Sequence, residues 1–169
     1  MKIGEKAPQF TLDAYSNGNT IKVSSSDFEG KWVLLFFYPR DFTFVCPTEL
    51  KSLAHFQKEF SAEDCEIVAA STDSAFSHKA WFEKDLPEVK YPILADTAHT
   101  LARDYNILIE SEGTALRGAF LIDPKGILQY ATISNLNVGR SAEELLRILQ
   151  AFKTGGLCPA NWKKGEKTL

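Results

Sequence analysis

The sequence predicts an α/β fold in which a mixed central β-sheet is flanked by helices and carries an N-terminal hairpin. Strand-like and helix-like patterns alternate between residues 32 and 105, which is typical of parallel strands joined by crossover helices. A second hairpin pattern follows, so antiparallel pairing joins the same sheet. With 169 residues, 44% of them hydrophobic, and no visible linker, residues 1–169 are expected to form a single domain.

The N-terminal hairpin is centred on the turn-forming residues Ser16-Asn17-Gly18-Asn19, between strand patterns at residues 10–12 and 20–23. We expect it to close one edge of the sheet. Residues 32–38 then form a continuous apolar run between Gly30 and Pro39, which is typical of a strand buried on both faces. This run predicts a central strand.

A strand, helix, strand unit is predicted next. After Pro47 the apolar residues recur with helical spacing, at positions 50, 53, 56 and 60, and residues 66–71 have the composition of a strand. The alternation continues with a helix at residues 75–86, a short strand at 92–95 and a helix at 98–105.

The last part of the chain predicts a hairpin and a final helix. Strand patterns at residues 115–122 and 127–133 flank Asp123-Pro124-Lys125-Gly126, a sequence suited to a turn. Ser141 and Glu144 form a capping box for an amphipathic helix that Gly155-Gly156 ends, leaving a polar tail at residues 157–169. This order of elements matches a thioredoxin-like core best. The late hairpin favours it over the doubly wound parallel folds.

Composition argues against several classes of function. The net charge of −3 and the absence of a Lys/Arg block argue against a nucleic-acid partner. The first residues have no apolar segment and the longest apolar run is too short to span a bilayer, so we expect a soluble, cytoplasmic protein without a membrane partner.

Neither the three cysteines nor the dispersed His55, His78 and His99 have metal-ligand spacing. No metal or other cofactor is expected, and each histidine is interpreted as a surface or helix-face residue.

Cys46 is the first candidate for chemistry, because it lies where the apolar run has ended and a helix begins. Pro47 suits the first position of a helix, which makes Cys46 the expected N-cap. The positive end of a helix dipole stabilises a thiolate, which is the nucleophilic form of cysteine. From this position alone, an ordinary small residue at a helix start is an equally good interpretation.

Cys158 is the second candidate. It is also followed by a proline, although proline fills only 7 of the 169 positions. It lies in the polar tail, where we expect an exposed and mobile thiol that can reach a distant partner, as a resolving cysteine must. Cys65 precedes a strand without a proline or basic neighbour and is interpreted as structural.

Several segments together resemble one known family. The run from Pro39 to Glu49, PRDFTFVCPTE, closely resembles the active-site segment of typical two-cysteine peroxiredoxins, the class that includes the bacterial alkyl hydroperoxide reductase C subunit. Further segments resemble that family in the same order over nearly the whole chain: GTALRG at 113–118, FLID at 120–123, VGRS at 138–141 and LCPANW at 157–162.

The resemblance implies a thiol peroxidase in which Cys46 attacks a peroxide oxygen and becomes a sulfenic acid. By similarity, the Thr43 hydroxyl and the Arg117 guanidinium would stabilise the charge on the peroxide oxygens. Pro39 would shield the sulfur from water. Glu49 and Arg140 would orient Arg117. Taken singly, each of these is also an ordinary loop, strand or helix-terminus residue.

The resemblance also implies how the cycle closes and which partners take part. Hydrogen peroxide and alkyl hydroperoxides would be the substrates, and Cys158 of the opposite subunit would form a disulfide with Cys46. A thioredoxin-like or flavoprotein disulfide reductase would then reduce it. The first turn after Cys46 is expected to unwind and the tail to move. A homodimer is implied, assembled into a decameric ring around Phe42 and Phe44.

The chain departs from easily inactivated eukaryotic-type members at two places. It has no Gly-Gly-Leu-Gly insertion near residues 83–88, and it ends eleven residues after Cys158 without a Tyr-Phe helix. We therefore expect easier unfolding around Cys46 and slower overoxidation. Two other functions are considered for the same fold. The lack of a CxxC pair argues against a protein disulfide oxidoreductase, whereas an additional holdase activity stays open.

Overall fold

A seven-stranded mixed sheet forms the centre of the computed structural model, which describes residues 1–169. Two further short strands pair with each other outside it. The strands are β1 (Thr11–Ser16), β2 (Asn19–Ser24), β3 (Trp32–Phe37), β4 (Cys65–Ser71), β5 (Ile93–Ala95), β6 (Leu108–Ile109), β7 (Thr114–Ala115), β8 (Arg117–Ile122) and β9 (Leu128–Ser134). The helices are α1 (Cys46–His55), α2 (Gln57–Ala62), α3 (Ala75–Asp85), α4 (Thr100–Asp104) and α5 (Ala142–Lys153).

The strand order in the sheet is β2-β1-β5-β4-β3-β8-β9. Strands β3, β4 and β5 run parallel, whereas β8 pairs antiparallel with β3 and β1 pairs antiparallel with β5. The two hairpins, β1–β2 and β8–β9, therefore occupy opposite edges of the sheet. The predicted mixed α/β sheet, with its N-terminal hairpin at an edge, is confirmed.

Strand β3 is an inner strand of the sheet, between β4 and β8, as its apolar run predicts. Its side chains alternate between two buried clusters, because successive residues of a strand point to opposite faces. Leu34 and Phe36 pack with α1, α3 and α5 on one face, and Leu35 and Phe37 pack with α4 on the other. Cys46, Leu50 and Leu53 belong to the first of these clusters, so α1 packs on that face of the sheet.

Two helices differ from their predicted extents. The helix after Pro47 ends at His55, and α2 begins at Gln57, because Phe56 leaves helical geometry at φ −91° and ψ 6°. Helix α4 is shorter than predicted because the buried Asp96 carboxylate accepts the N–H groups of Leu101 and Ala102. Those bonds satisfy the first turn of α4 and fix its start.

The tail at residues 157–169 is docked on the body of the protein. Trp162 is only 3% exposed, and Arg147 of α5 donates a hydrogen bond of 3.0 Å to its carbonyl oxygen. The expectation of an exposed Cys158 is wrong, since this residue is half-buried. The polar composition of the tail did not reveal that one buried tryptophan holds it in place.

None of the five α-helices combines the length and the apolar composition that crossing a membrane requires.

Candidate active site

Cys46 is the first residue of α1, directly after the loop that follows β3. The predicted N-cap position is displaced by one residue: Val45 is the N-cap, and Pro47 is the second helical residue. The helix begins earlier because Val45 already has helical dihedral angles and its carbonyl accepts the N–H groups of Thr48 and Glu49. The sulfur still lies at the positive end of the helix, where it is 1% exposed.

Arg117, the first residue of β8, reaches the Cys46 sulfur from the neighbouring strand. Its Nη1 lies 3.5 Å from Sγ and donates a second hydrogen bond of 2.7 Å to Glu49. Its Nε donates to the Leu136 carbonyl at 2.7 Å, which fixes the plane of the guanidinium. Because Arg117 is only 3% exposed, its charge acts on the sulfur with little screening by water.

Glu49, one turn after Cys46, joins the two predicted arginines. Arg140 donates to Glu49 from its backbone N–H at 2.7 Å and from Nε at 2.9 Å. Gly139 allows this close approach, since a Cβ there would lie 3.3 Å from Glu49 Cγ. Two guanidiniums thus surround one carboxylate, which leaves one net positive charge beside the Cys46 sulfur.

Arg140 is itself immobilised by the end of the sheet. Its Nη1 and Nη2 donate to the carbonyls of Gly118 and Phe37, and its guanidinium lies 3.5 Å from the centre of the Phe36 ring. Burial lowers the pKa of Arg140, and its hydrogen bonds to the Glu49 carboxylate oppose that effect. Arg140 therefore contacts Glu49 and forms no hydrogen bond with the sulfur.

A cavity of about 250 Å³ lies at the sulfur, and Pro39, Thr43, Cys46 and Arg117 are among the residues that line it. The Thr43 hydroxyl donates to the Arg40 carbonyl at 2.8 Å, so the lone pairs of its oxygen are what it offers to a molecule in the cavity. Among the predicted site residues, the structure brings together Cys46, Thr43, Arg117, Pro39, Glu49 and Arg140.

Cys158 is not part of this constellation within one chain. Its sulfur lies beside the end of α5, 3.3 Å from the Thr154 hydroxyl and 3.6 Å from the Ala151 carbonyl, and all three cysteines are free. Cys65 begins β4 and is 4% exposed. Burial raises the pKa of Cys65 to about 12, which agrees with its interpretation as a structural residue.

Sequence reasoning missed a buried polar cluster behind the active-site loop. His78 lies on the buried face of α3, fully enclosed, and contacts the Asp41 carboxylate and the Tyr38 hydroxyl. A signal was present: His78 precedes Trp81 and Phe82 by three and four residues, so it shares their helix face. Both aromatic residues are buried in the core.

The fold and the arginine-paired cysteine define a thioredoxin-fold thiol enzyme. Residues 3–131 match the model of the AhpC/TSA family, and residues 151–169 match the model of the C-terminal domain of 1-Cys peroxiredoxin. The chain belongs to the AhpC/TSA family. The predicted resemblance to typical two-cysteine peroxiredoxins is confirmed.

Individual relatives cover almost the whole chain. The thioredoxin peroxidase of Echinococcus granulosus is 49% identical, over 99% of this chain and 91% of the relative. The structure of Enterococcus faecalis AhpC has a TM-score of 0.90 at 39% identity, covering 93% of this chain and 98% of that one. The reduced 2-Cys peroxiredoxin of Plasmodium vivax has a TM-score of 0.93 at 38% identity, covering 98% and 91%.

Proposed function

We propose that this protein is a thiol-dependent peroxidase that reduces hydrogen peroxide and alkyl hydroperoxides through Cys46. The observation that carries the proposal is the buried Cys46 sulfur, 3.5 Å from the Arg117 guanidinium at the start of a helix. A thiolate in this place is favoured by the helix end and by one net positive charge from the Arg117, Glu49 and Arg140 group. The membership of the AhpC/TSA family supports the same chemistry.

In the first step the Cys46 thiolate attacks one peroxide oxygen and the O–O bond breaks. The sulfur is oxidised to a sulfenic acid, and the other oxygen leaves with the electron pair and takes up a proton, giving water or an alcohol. Arg117 donors stabilise the negative charge that develops on the oxygens. The Thr43 oxygen accepts a hydrogen bond from the peroxide O–H, and Pro39 limits the access of water.

In the second step the Cys158 thiol of a second subunit attacks the Cys46 sulfur. An S–S bond forms, the S–O bond breaks and water leaves. Cys46 is buried in the first turn of α1 and Cys158 lies against α5, so both segments have to move before the sulfurs meet. A thioredoxin-like or flavoprotein disulfide reductase returns both thiols.

The assembly that suits this cycle is a homodimer, further assembled into a decameric ring. Phe42 and Phe44, beside the active site, are 56% and 92% exposed in the single chain, which supports their burial between dimers. The proposal includes a single domain over residues 1–169 and a cytoplasmic location, where a reducing environment keeps the thiols ready.

The test is a non-reducing gel and intact-mass measurement after one equivalent of hydrogen peroxide, on the wild type, Cys46→Ser and Cys158→Ser. We expect a disulfide-linked dimer for the wild type, a monomer with sulfenic Cys46 for Cys158→Ser, and no peroxide consumption by Cys46→Ser. Sedimentation velocity of the reduced protein measures its size and tests whether it forms the decameric ring. Peroxide consumption by Cys46→Ser at the wild-type rate would refute the proposal.

A further inference from the structure

The buried cluster behind the active-site loop converges on one carboxylate, that of Asp41. Tyr38 donates its hydroxyl to Oδ1 at 2.7 Å, Ser77 donates to Oδ2 at 2.8 Å, and His78 Nδ1 lies 2.8 Å from Oδ2. Asp41 is 7% exposed and His78 is fully buried. A carboxylate this deep is stable only while such partners are present.

Hydrogen-bond accounting places one hydrogen between Asp41 Oδ2 and His78 Nδ1. The Leu94 carbonyl, 3.2 Å from His78 Nε2, can only accept, so Nε2 carries a hydrogen. The short contact on the other side then requires a hydrogen either on Nδ1 or on the Asp41 carboxyl group. In both arrangements the hydrogen-bonding groups of Asp41 and His78 have partners within the protein. The cluster therefore has a structural role and does not bind the substrate.

The cluster holds a strained stretch of backbone in place. Asp41 N–H donates to Asp73 at 2.9 Å, and the Thr114 hydroxyl donates to the Pro39 carbonyl at 2.6 Å. The next residue, Phe42, has φ +55°, in the left-handed region that a bulky residue rarely adopts, and its ring packs 5.8 Å from that of Trp81. Such a conformation persists only where the surrounding contacts determine it.

This loop supplies one half of the active site, and the arginine group supplies the other. Pro39 and Thr43 come from the loop on either side of Asp41, whereas Arg117 and Glu49 come from β8 and α1. The side-chain hydrogen bonds that hold Asp41 involve none of the residues that hold the two arginines. We propose that Asp41, held by Tyr38 and His78, is a positioning residue for the peroxidase reaction proposed above. It holds the loop that lines the peroxide cavity and so orients the peroxide, and it does not affect the reactivity of Cys46 itself.

The decisive variant is Tyr38→Phe, which removes one hydrogen bond to Asp41 and leaves the volume of the core unchanged. We expect the second-order rate constant for hydrogen peroxide to fall about tenfold, since a small misplacement of orienting groups is costly. The rate at which iodoacetamide alkylates Cys46 should stay within about twofold of the wild-type rate, because this reaction needs no alignment of a peroxide. A role in folding alone would leave both rates unchanged in the folded protein.

Two further variants complete the experiment. Tyr105→Phe is the matched control, because Tyr105 is equally buried and its hydroxyl has no hydrogen-bond partner; both rates should stay at the wild-type value. Asp41→Asn is the conservative variant: its amide oxygen accepts from Tyr38 and its amide nitrogen donates to a neutral His78. It should retain the peroxide rate within about threefold.

The outcomes separate this inference from the proposed function. If the wild type consumes peroxide no faster than Cys46→Ser, the proposed function fails. If the wild type is active but Tyr38→Phe keeps its peroxide rate, or loses peroxide and iodoacetamide reactivity in equal measure, only the positioning role fails. A fall for Asp41→Asn as large as that for Tyr38→Phe also contradicts positioning through hydrogen bonds.

Discussion

At the scale of single residues, Glu49 decides whether the two arginines can be buried together. Its side chain is almost fully enclosed and forms ion pairs with Arg117 at 2.7 Å and with Arg140 at 2.9 Å. Burying a charge is costly unless an opposite charge lies close to it. The acidic side chain of Glu49 is therefore what allows two cations to stay beside the Cys46 sulfur.

Replacement of Glu49 by glutamine should damage both stability and rate. It leaves two neighbouring guanidiniums without their shared anion, so we expect a loss of about 3 kcal/mol in the free energy of unfolding, measured with urea. The peroxide rate, measured by stopped flow, should fall about a hundredfold as Arg117 loses its orientation. Glu59→Gln is the control, because Glu59 is exposed; it should stay within about 0.5 kcal/mol. Equal behaviour of the two variants would contradict the bridging role.

Cys65 should be the last cysteine to react. Its pKa of about 12, caused by burial, keeps it a thiol throughout the neutral and mildly alkaline range, and only the thiolate is nucleophilic. Alkylation of the reduced native protein at pH 8, followed by peptide mass spectrometry, should modify Cys46 and Cys158 first. Labelling in urea provides the control, since all three cysteines should then react alike. Early modification of Cys65 in the native protein would show that β4 opens locally.

At the scale of elements, the sequence predicted those whose signal is local. The apolar run at 32–38 predicted β3, and Ser141 predicted the start of α5, where its hydroxyl does accept the N–H of Glu144 at 3.2 Å. The burial of His78 depends on Tyr38 and Asp41, which lie far along the chain. The short α4 depends on the side chain of Asp96, which lies outside the helix. Local propensity carries no information about such contacts. The site residues came from the family resemblance, and their assembly required the fold.

The N-cap of α5, Ser141, should contribute to the stability of the protein by holding the start of this helix. Ser141→Ala removes a side-chain cap and should lower the free energy of unfolding by about 1 kcal/mol. Ser61→Ala, at an exposed position of α2, is the matched control and should be close to neutral. Both are measured by urea denaturation followed by circular dichroism. A neutral Ser141→Ala would mean that tertiary contacts alone fix this helix start.

At the scale of the whole molecule, the tail is joined to the body through a nearly buried acidic residue. Glu63, 8% exposed at the end of α2, is paired with Lys164 of the tail and with Lys153 of α5. Burial alone would raise the pKa of Glu63, but the hydrogen bonds and charges of Lys164 and Lys153 outweigh it and lower the pKa. The ion pairs therefore stabilise the docked tail above the ordinary glutamate pKa, and this contribution is lost as the pH falls through the lowered value.

Release of the tail should limit how quickly Cys158 can reach a second subunit, so weakening its anchor should speed disulfide formation in the proposed cycle. Lys164 is largely exposed, which limits its ion pair to about 0.5–1 kcal/mol. Lys164→Ala should thus raise the rate of disulfide formation about two- to fivefold, measured by quenched-flow alkylation and non-reducing gels, while the rate of the first peroxide step stays constant.

Lys167→Ala, which removes an exposed tail lysine outside the ion pairs, is the control for net charge. Because the effect depends on an ionised Glu63, it should shrink at high salt. An equal acceleration by Lys167→Ala, or none by Lys164→Ala, would show that the opening of α1 at Cys46 limits the step instead.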